Sequence, residues 1–176
     1  MRRVPGIVRK ATSPATARIV VLHVLATCVL AGCGYHSISN YLPHIDSVRI
    51  PPVVNVTVLV EIEDELTTRF QDRFRVKWNS GDDSLLRIWA HDYWIEPRQY
   101  DVNNLPEQYR MSVQIDYQFW DNVRQRMISE AQDEEFHRDF YVVTGRGEEP
   151  EDEETARANL FDDLVDTLYY TLAEQW

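Results

Sequence analysis

The sequence predicts an α+β domain, a two-layer sandwich in which a mostly antiparallel four-stranded sheet carries two helices on one face, in the order β-α-β-β-β-α. Two observations predict this class. Residues 109–119 alternate apolar and polar side chains, as a strand with one buried and one wet face does. Residues 62–74 and 156–172 place apolar side chains at every fourth position, which is typical of a helix that packs on a sheet.

A different composition precedes this domain. Residues 1–32 are predicted to be a lipoprotein signal peptide, because basic residues come first and an apolar run, Ile19 to Ala31, is too short to span a bilayer stably. The run ends in Leu-Ala-Gly-Cys, the pattern cleaved by lipoprotein signal peptidase, so we predict that Cys33 is acylated and becomes the first mature residue. The alternatives are an ordinary secretory signal and a buried core helix.

Sorting and domain boundaries follow from this leader. Gly34 stands where an Asp would favour retention at the inner membrane, so we expect a lipid-anchored protein on the periplasmic side of the outer membrane. Residues 33–46 are predicted to form the lipidated N-terminus and a polar tether, and residues 47–176 the folded domain. Since Cys28 lies in the leader, the mature domain has neither a disulfide nor a free thiol.

The domain is predicted to begin with a strand and a helix. Ser47 to Pro51 alternates polar and apolar residues, and Pro51-Pro52 ends the pattern because proline cannot donate to a strand ladder. Asn55 and Thr57 are possible helix N-caps, and a helix beginning near Val58 is favoured by acidic residues early and arginines late in the run. Its predicted core residues are Ile62, Leu66, Phe70 and Phe74.

Three strands are predicted to follow. Residues 75–78 are interpreted as a short extended piece and residues 79–83 as a turn. The predicted strands are residues 85–95, 109–119 and 126–143, joined by a polar connection over 97–106 and a hairpin turn at 121–122. The acidic run Glu148 to Glu154 leads into the last helix, whose four-residue apolar spacing predicts packing on the sheet.

Charge and motifs exclude several functions. The formal net charge is −11, and the leader holds five of the eighteen basic residues and none of the 29 acidic ones, so the mature chain carries −16. This disfavours nucleic acid as a partner. The histidines lack metal-ligand spacing, and the chain has no nucleophile elbow and no phosphate-binding loop, so no catalytic residue, metal or cofactor is predicted. The two runs of adjacent acidic residues, 133–135 and 151–154, are interpreted as solvated surface.

Several short motifs, taken in order, resemble one family. They are Cys33-Gly34-Tyr35-His36, Leu42-Pro43, Asn55-x-Thr57 before a helix with acids at Glu61 and Glu63, Leu66-Thr67, Pro97, Tyr100-Asp101 and Glu107-x-Tyr109-Arg110. An acidic loop and a terminal amphipathic helix follow. The mature chain resembles, over essentially its whole length, the LptE family of lipopolysaccharide-assembly lipoproteins.

The resemblance implies a function and a partner. It implies two helices against a four-stranded sheet, no enzymatic activity, and a role as the plug of an LptD-type β-barrel in lipopolysaccharide transport to the cell surface. It also implies contact with lipopolysaccharide, for which the basic cluster Arg69, Arg73, Arg75 and Lys77 offers partners to lipid A phosphates. The alternative reading of these arginines is pairing with carboxylates. The alternative function is a generic outer-membrane lipoprotein that acts as a glycan-binding or periplasmic adaptor module.

Overall fold

The computed structural model describes residues 42–174. The predicted signal peptide, Cys33 and the predicted tether as far as residue 41 lie outside the described residues. Leu42 and Ile45, at the end of the predicted tether, are 6% and 3% exposed. Residues 42–46 therefore belong to the folded domain rather than to a free tether.

Six strands and two α-helices form the domain over these residues. The strands are β1 (Ser47–Arg49), β2 (Val54–Asn55), β3 (Asn79–Ser80), β4 (Ser84–Tyr100), β5 (Pro106–Asp121) and β6 (Arg126–Tyr141). The helices are α1 (Ile62–Phe74) and α2 (Glu153–Tyr169), and a π-helical turn, Tyr170–Glu174, continues α2. The α+β class predicted from the sequence is confirmed.

The sheet is mixed rather than mostly antiparallel with four strands. The strand order is β3-β1-β4-β5-β6, with β2 paired to β4. The long strands β4, β5 and β6 pair antiparallel as predicted, whereas β1 and β2 run parallel to β4, and β3 runs parallel to β1. β1 and β4 are parallel because the chain passes from one to the other through α1, and a crossover through a helix joins strands that run parallel.

The core lies between the two helices and one face of the sheet. The odd-numbered residues of β5 from Met111 to Phe119 are at most 4% exposed. An aromatic chain joins the layers, because Phe74 of α1 contacts both Trp78 and Tyr169, and Trp78 contacts Phe119 of β5. The predicted core residues of α1 are all buried, as are Ala156, Leu160, Leu164, Leu168 and Leu172.

The predicted start of the first helix is wrong. α1 begins at Ile62, and Glu61 occupies its N-cap position without a side-chain cap. Asn55 and Thr57 do not cap the helix, since the Asn55 carboxamide oxygen accepts from the Thr57 N–H at 2.9 Å and its amide donates to the Leu59 carbonyl at 2.8 Å. These short polar side chains stabilise the loop before α1 instead, a role that competes with capping.

The segment after α1 also differs from the prediction. Residues 75–78 are not extended but form the turns that end the helix, with the Trp78 N–H donating to the Phe74 carbonyl at 3.0 Å. β3 lies inside the predicted turn cluster, and Gly81 follows it. A Cβ at Gly81 would lie 2.5 Å from Ser47 Oγ, so only glycine fits where this turn passes β1.

The hairpin between β4 and β5 is longer than predicted. β4 continues through Pro97 to Tyr100, because irregular pairing on either side of Gln99 accommodates the proline. The connection shrinks to five residues, in which the Asp101 carboxylate accepts from the N–H groups of Asn103 and Leu105 at 2.8 and 2.7 Å. α2 begins at Glu153, near the end of the acidic run, with Asp152 as its N-cap.

Candidate interaction surfaces

The first two of the predicted lipid A contacts lie on α1 and the other two just after it, and carboxylates already pair with the first two. Arg69 donates to Glu65 at 3.0 Å and to Asp162 of α2, and Arg73 donates to Asp166 of α2. Each arginine side chain is 25% exposed. These pairs join the two helices across the surface of the domain.

The other two residues predicted to contact lipid A, Arg75 and Lys77, also have partners within the chain. Arg75 donates to Asp72 at 2.9 Å, and both side chains are more than half exposed. The Lys77 ammonium donates to the Ala173 carbonyl and lies 5.0 Å from the centre of the Trp78 ring. The structure therefore brings together only Arg69 and Arg73, which both face α2, whereas Arg75 lies beside Ile50 and Gln71. Each of the four basic residues already has a partner within the chain.

A second surface is the face of the long strands opposite the helices. Trp89, Trp94 and Trp120 lie on this face and are half-buried, although no described helix packs on it. Arg110 donates to both carboxylate oxygens of Asp139 on the next strand, at 2.7 and 2.9 Å. These hydrogen bonds hold the pKa of Asp139 below its usual range. The uncovered face is thus a rigid surface of half-buried aromatic side chains and paired charges.

A further pair on this face involves a histidine. His91 Nε2 lies 2.8 Å from Asp116 Oδ2. The pKa of Asp116 is lowered, chiefly because the Asp133 N–H donates to its carboxylate and secondly because His91 does. Asp133 has a positive φ of 55°. The pairing of β5 with β6 is irregular here, between Ile115 and Tyr117, next to the His91–Asp116 pair.

The N-terminal segment is attached at one end of the sheet. His44 Nε2 lies 2.7 Å from Asp121 Oδ2, and the Asp121 side chain is completely buried. Sequence reasoning missed this contact because 77 positions separate the two residues and no spacing links them. The contact between His44 and Asp121 holds the N-terminal segment beside the turn between β5 and β6.

The uncovered face carries a groove of about 350 Å³ at this same end. Its lining combines two arginines and two amides with apolar side chains and includes no carboxylate. The lining residues are Arg49, Leu85, Arg87, Gln118, Trp120, Asn122 and Met127. We call this region, together with exposed Val123, Arg124 and Arg126 in and after the adjoining turn, the arginine end.

The opposite end of the domain has a different character. Val58 and Val60 in the loop before α1 are 87% and 84% exposed, and exposed Glu61, Glu63 and Asp64 follow them directly. The first turns of α2, which follow the acidic run, lie beside this loop, because Arg157 is 3.7 Å from Glu61 and 3.3 Å from Glu65. We call this region the valine end.

Two further properties concern ligands and membranes. Among residues 42–174, no three His, Cys, Asp or Glu side chains are grouped in a way that would hold a metal ion. Within the same part of the chain, none of the helices combines the length and the apolar character needed to cross a membrane.

Comparison with known proteins identifies the family. The family model for lipopolysaccharide assembly, LptE, matches residues 45–172. A candidate lipoprotein from Caulobacter crescentus has a similar structure, with a TM-score of 0.51 at 7% identity over 73% of this chain and 89% of that one. Rare lipoprotein B from Shewanella oneidensis gives a TM-score of 0.41 at 11% identity, over 71% and 94%. No curated protein sequence matches.

The family match covers nearly the whole described domain, from Ile45 in the N-terminal segment to Leu172 in the turn after α2. The structural similarity to the Caulobacter protein supports the shared fold. The family match agrees with the motifs that resemble this family in the sequence. The chain therefore belongs to the LptE family of lipopolysaccharide-assembly lipoproteins.

Proposed function

We propose that this protein is an outer-membrane lipoprotein that assembles with an LptD-type β-barrel and plugs it for lipopolysaccharide transport and insertion at the cell surface. The observation that carries the proposal is the family match over residues 45–172. The family is one of non-enzymatic assembly lipoproteins, so we assign no reaction to the chain. Acylation of Cys33 anchors the protein in the periplasmic leaflet of the outer membrane.

The chemistry of the uncovered face supports a plug. The lumen of an outer-membrane barrel is polar, so a plug must present satisfied polar groups rather than an apolar surface. On this face Arg110 and Asp139 form a double hydrogen bond, and His91 and Asp116 form a second pair. These two pairs can enter a polar lumen without leaving their own charges unpaired.

Direct contact with lipopolysaccharide is the secondary part of the proposal. Arg69, Arg73, Arg75 and Lys77 are the proposed partners of lipid A phosphates. To bind a phosphate, Arg69 and Arg73 must exchange the carboxylates that they hold in the structure. The gain from that exchange is small, since one charged hydrogen-bond acceptor replaces another. We therefore assign the main role of the protein to the barrel.

Depletion and complementation test the proposed function. Depletion of the protein should lower folded barrel and surface lipopolysaccharide together, because an unplugged barrel fails to assemble. Wild type should restore both. Cys33→Ser should accumulate as an unacylated precursor and restore neither, because the thiol that receives the lipid is missing. The measurements are palmitate labelling, heat-modifiable barrel on gels and lipopolysaccharide at the cell surface. Normal barrel and normal surface lipopolysaccharide after complete depletion would refute the proposal.

A further inference from the structure

The chain between β2 and α1 displays valines at alternate positions. Val54, Val56, Val58 and Val60 are 48%, 62%, 87% and 84% exposed. Single apolar residues on a protein surface need no explanation, but a row of them is typical of a surface that binds a partner. The exposure shows that nothing in residues 42–174 covers this row.

Polar side chains between the valines hold this loop in one conformation. The Asn55 carboxamide oxygen accepts from the Thr57 N–H at 2.9 Å and from the Thr57 hydroxyl at 2.8 Å. The Thr57 hydroxyl oxygen in turn accepts from the Leu59 N–H at 3.2 Å. The Val56 N–H donates to the carbonyl of Ala90 in β4 at 2.9 Å, which ties the loop to the sheet. Because a loop that is ordered before binding loses less conformational entropy, the valines form a preformed surface.

Acidic side chains stand beside the valines. Glu61, Glu63 and Asp64 follow them directly and are exposed. Among the described residues only Glu61 of these three lies within ion-pair distance of a base, at 3.7 Å from Arg157, whose side chain is 14% exposed. The first turn of α2 lies nearby and adds two exposed glutamates. The acids outnumber this arginine, so the valine end carries a net negative charge.

Apolar side chains beside unpaired acids select among the possible occupants. Phospholipid headgroups carry phosphates, which the acids repel. A second copy of this chain would bring the same acids together, and like charges oppose that pairing. A polar, water-lined wall offers the valines no apolar partner. A protein surface on which lysine or arginine side chains surround an apolar patch satisfies both the charge and the valines.

We propose that the valine end is a contact through which this domain holds the barrel, at a site where cationic side chains of the barrel surround an apolar patch. Val58 and Val60, the most exposed valines of the row, enter that patch, and Glu61, Glu63 and Asp64 pair with the cations around it. This inference rests on the proposed function, because it takes the barrel as the partner. It adds the residues and the chemistry of one contact, separate from the uncovered face.

A competition in cells tests the valines. A tagged variant and the untagged wild-type protein are produced together at equal levels, and the barrel recovered with the tag is measured. Val58→Ser with Val60→Ser should lower the recovered barrel roughly tenfold or more, because burial of the two side chains is lost. Val76→Ser with Val123→Ser is the matched control, since both valines are more than half exposed and lie at the other end of the domain. The control should recover as much barrel as the tagged wild type.

Charge reversal tests the acids. Glu63→Lys with Asp64→Lys should lower the recovered barrel roughly tenfold or more, because attraction to the cations of the barrel becomes repulsion. Asp46→Lys with Asp82→Lys changes the net charge by the same amount at exposed positions of the other end, and it should leave recovery unchanged. Urea unfolding of each purified variant verifies that the domain still folds.

A photoreactive residue in place of Val58 identifies the occupant. We expect a crosslink to the barrel, whereas a crosslink only to lipid or to a second copy of the lipoprotein would overturn the inference. Equal recovery of the barrel with the valine variant and with its control would also overturn it, and the proposed function would stand because the barrel still binds. If the tagged wild-type protein recovers no barrel, the proposed function itself fails, and this inference fails with it.

Discussion

Val113→Lys is expected to destabilise the domain strongly. Val113 is fully buried in the centre of β5, between Tyr93 of β4 and Phe136 of β6. A lysine there places an ammonium in an apolar core without a partner, and a change of this kind costs more than about 4 kcal/mol. Domains of this size are stable by about 5–15 kcal/mol, so a cost above about 4 kcal/mol removes a large part of the free energy of unfolding.

The matched control is the same substitution one position later. Gln114 lies on the uncovered face, and its neighbours across the two adjacent strands are Asp92 and Glu135. Gln114→Lys puts a cation between two acids, where an opposite-charge cross-strand pair contributes about 0.2–1 kcal/mol. Circular dichroism and urea unfolding of both variants measure the difference. Equal stability of the two would mean that the orientation of β5 is wrong.

Asp121→Asn is expected to lower the free energy of unfolding by about 1.5–3 kcal/mol at neutral pH, the range for hydrogen bonds to a charged group. The Asp121 carboxylate is buried and accepts from the Arg124 N–H at 2.8 Å as well as bonding to His44. Burial raises the pKa of Asp121, but the hydrogen bonds from Arg124 and His44 together outweigh it and hold that pKa below its usual value.

The sign of the pH dependence follows from this lowered pKa. A carboxyl group whose pKa falls on folding stabilises the folded state above its unfolded pKa of about 3.9, and this contribution is lost as the pH falls through the folded value. The difference between wild type and Asp121→Asn should therefore be full near pH 7 and shrink below about pH 4.

An exposed aspartate supplies the control for this experiment. Asp82 is 76% exposed and pairs with Arg49, so Asp82→Asn should change stability by less than about 1 kcal/mol. Urea unfolding at several pH values measures all three proteins. A constant difference between wild type and Asp121→Asn down to the acid limit would show that the carboxylate charge does not stabilise the folded state.

The sequence predicts the long strands better than the edges of the sheet. Alternation over 109–119 identifies β5 because one face is buried and the other is wet. The outer third of β4 carries no such pattern, since bulges interrupt its pairing and Pro97 resembles a strand end. Alternation over 47–51 does identify β1, and its parallel pairing with β4 follows from the strand–helix–strand order. The two-residue strands β2 and β3 are too short to show a period.

The candidate surfaces depend on contacts that local sequence shows only in part. Arg69 and Arg73 form an apparent cationic cluster, yet Asp162 and Asp166 repeat the same four-residue spacing on α2 and pair with them. Helical spacing on both segments is a signal for this pairing. Arg87 is different, because the residue that it faces on β5 is Gln118 and not a carboxylate. Only the strand pairing reveals this neighbour.

The proposed association with an LptD-type barrel can be tested by affinity purification of the tagged lipoprotein from detergent-solubilised outer membranes. We expect an LptD-type barrel to co-purify in an amount equal to the lipoprotein. Recovery of the lipoprotein without any barrel, or with only a glycan or a soluble periplasmic protein, would contradict the account and favour the binding or adaptor alternative.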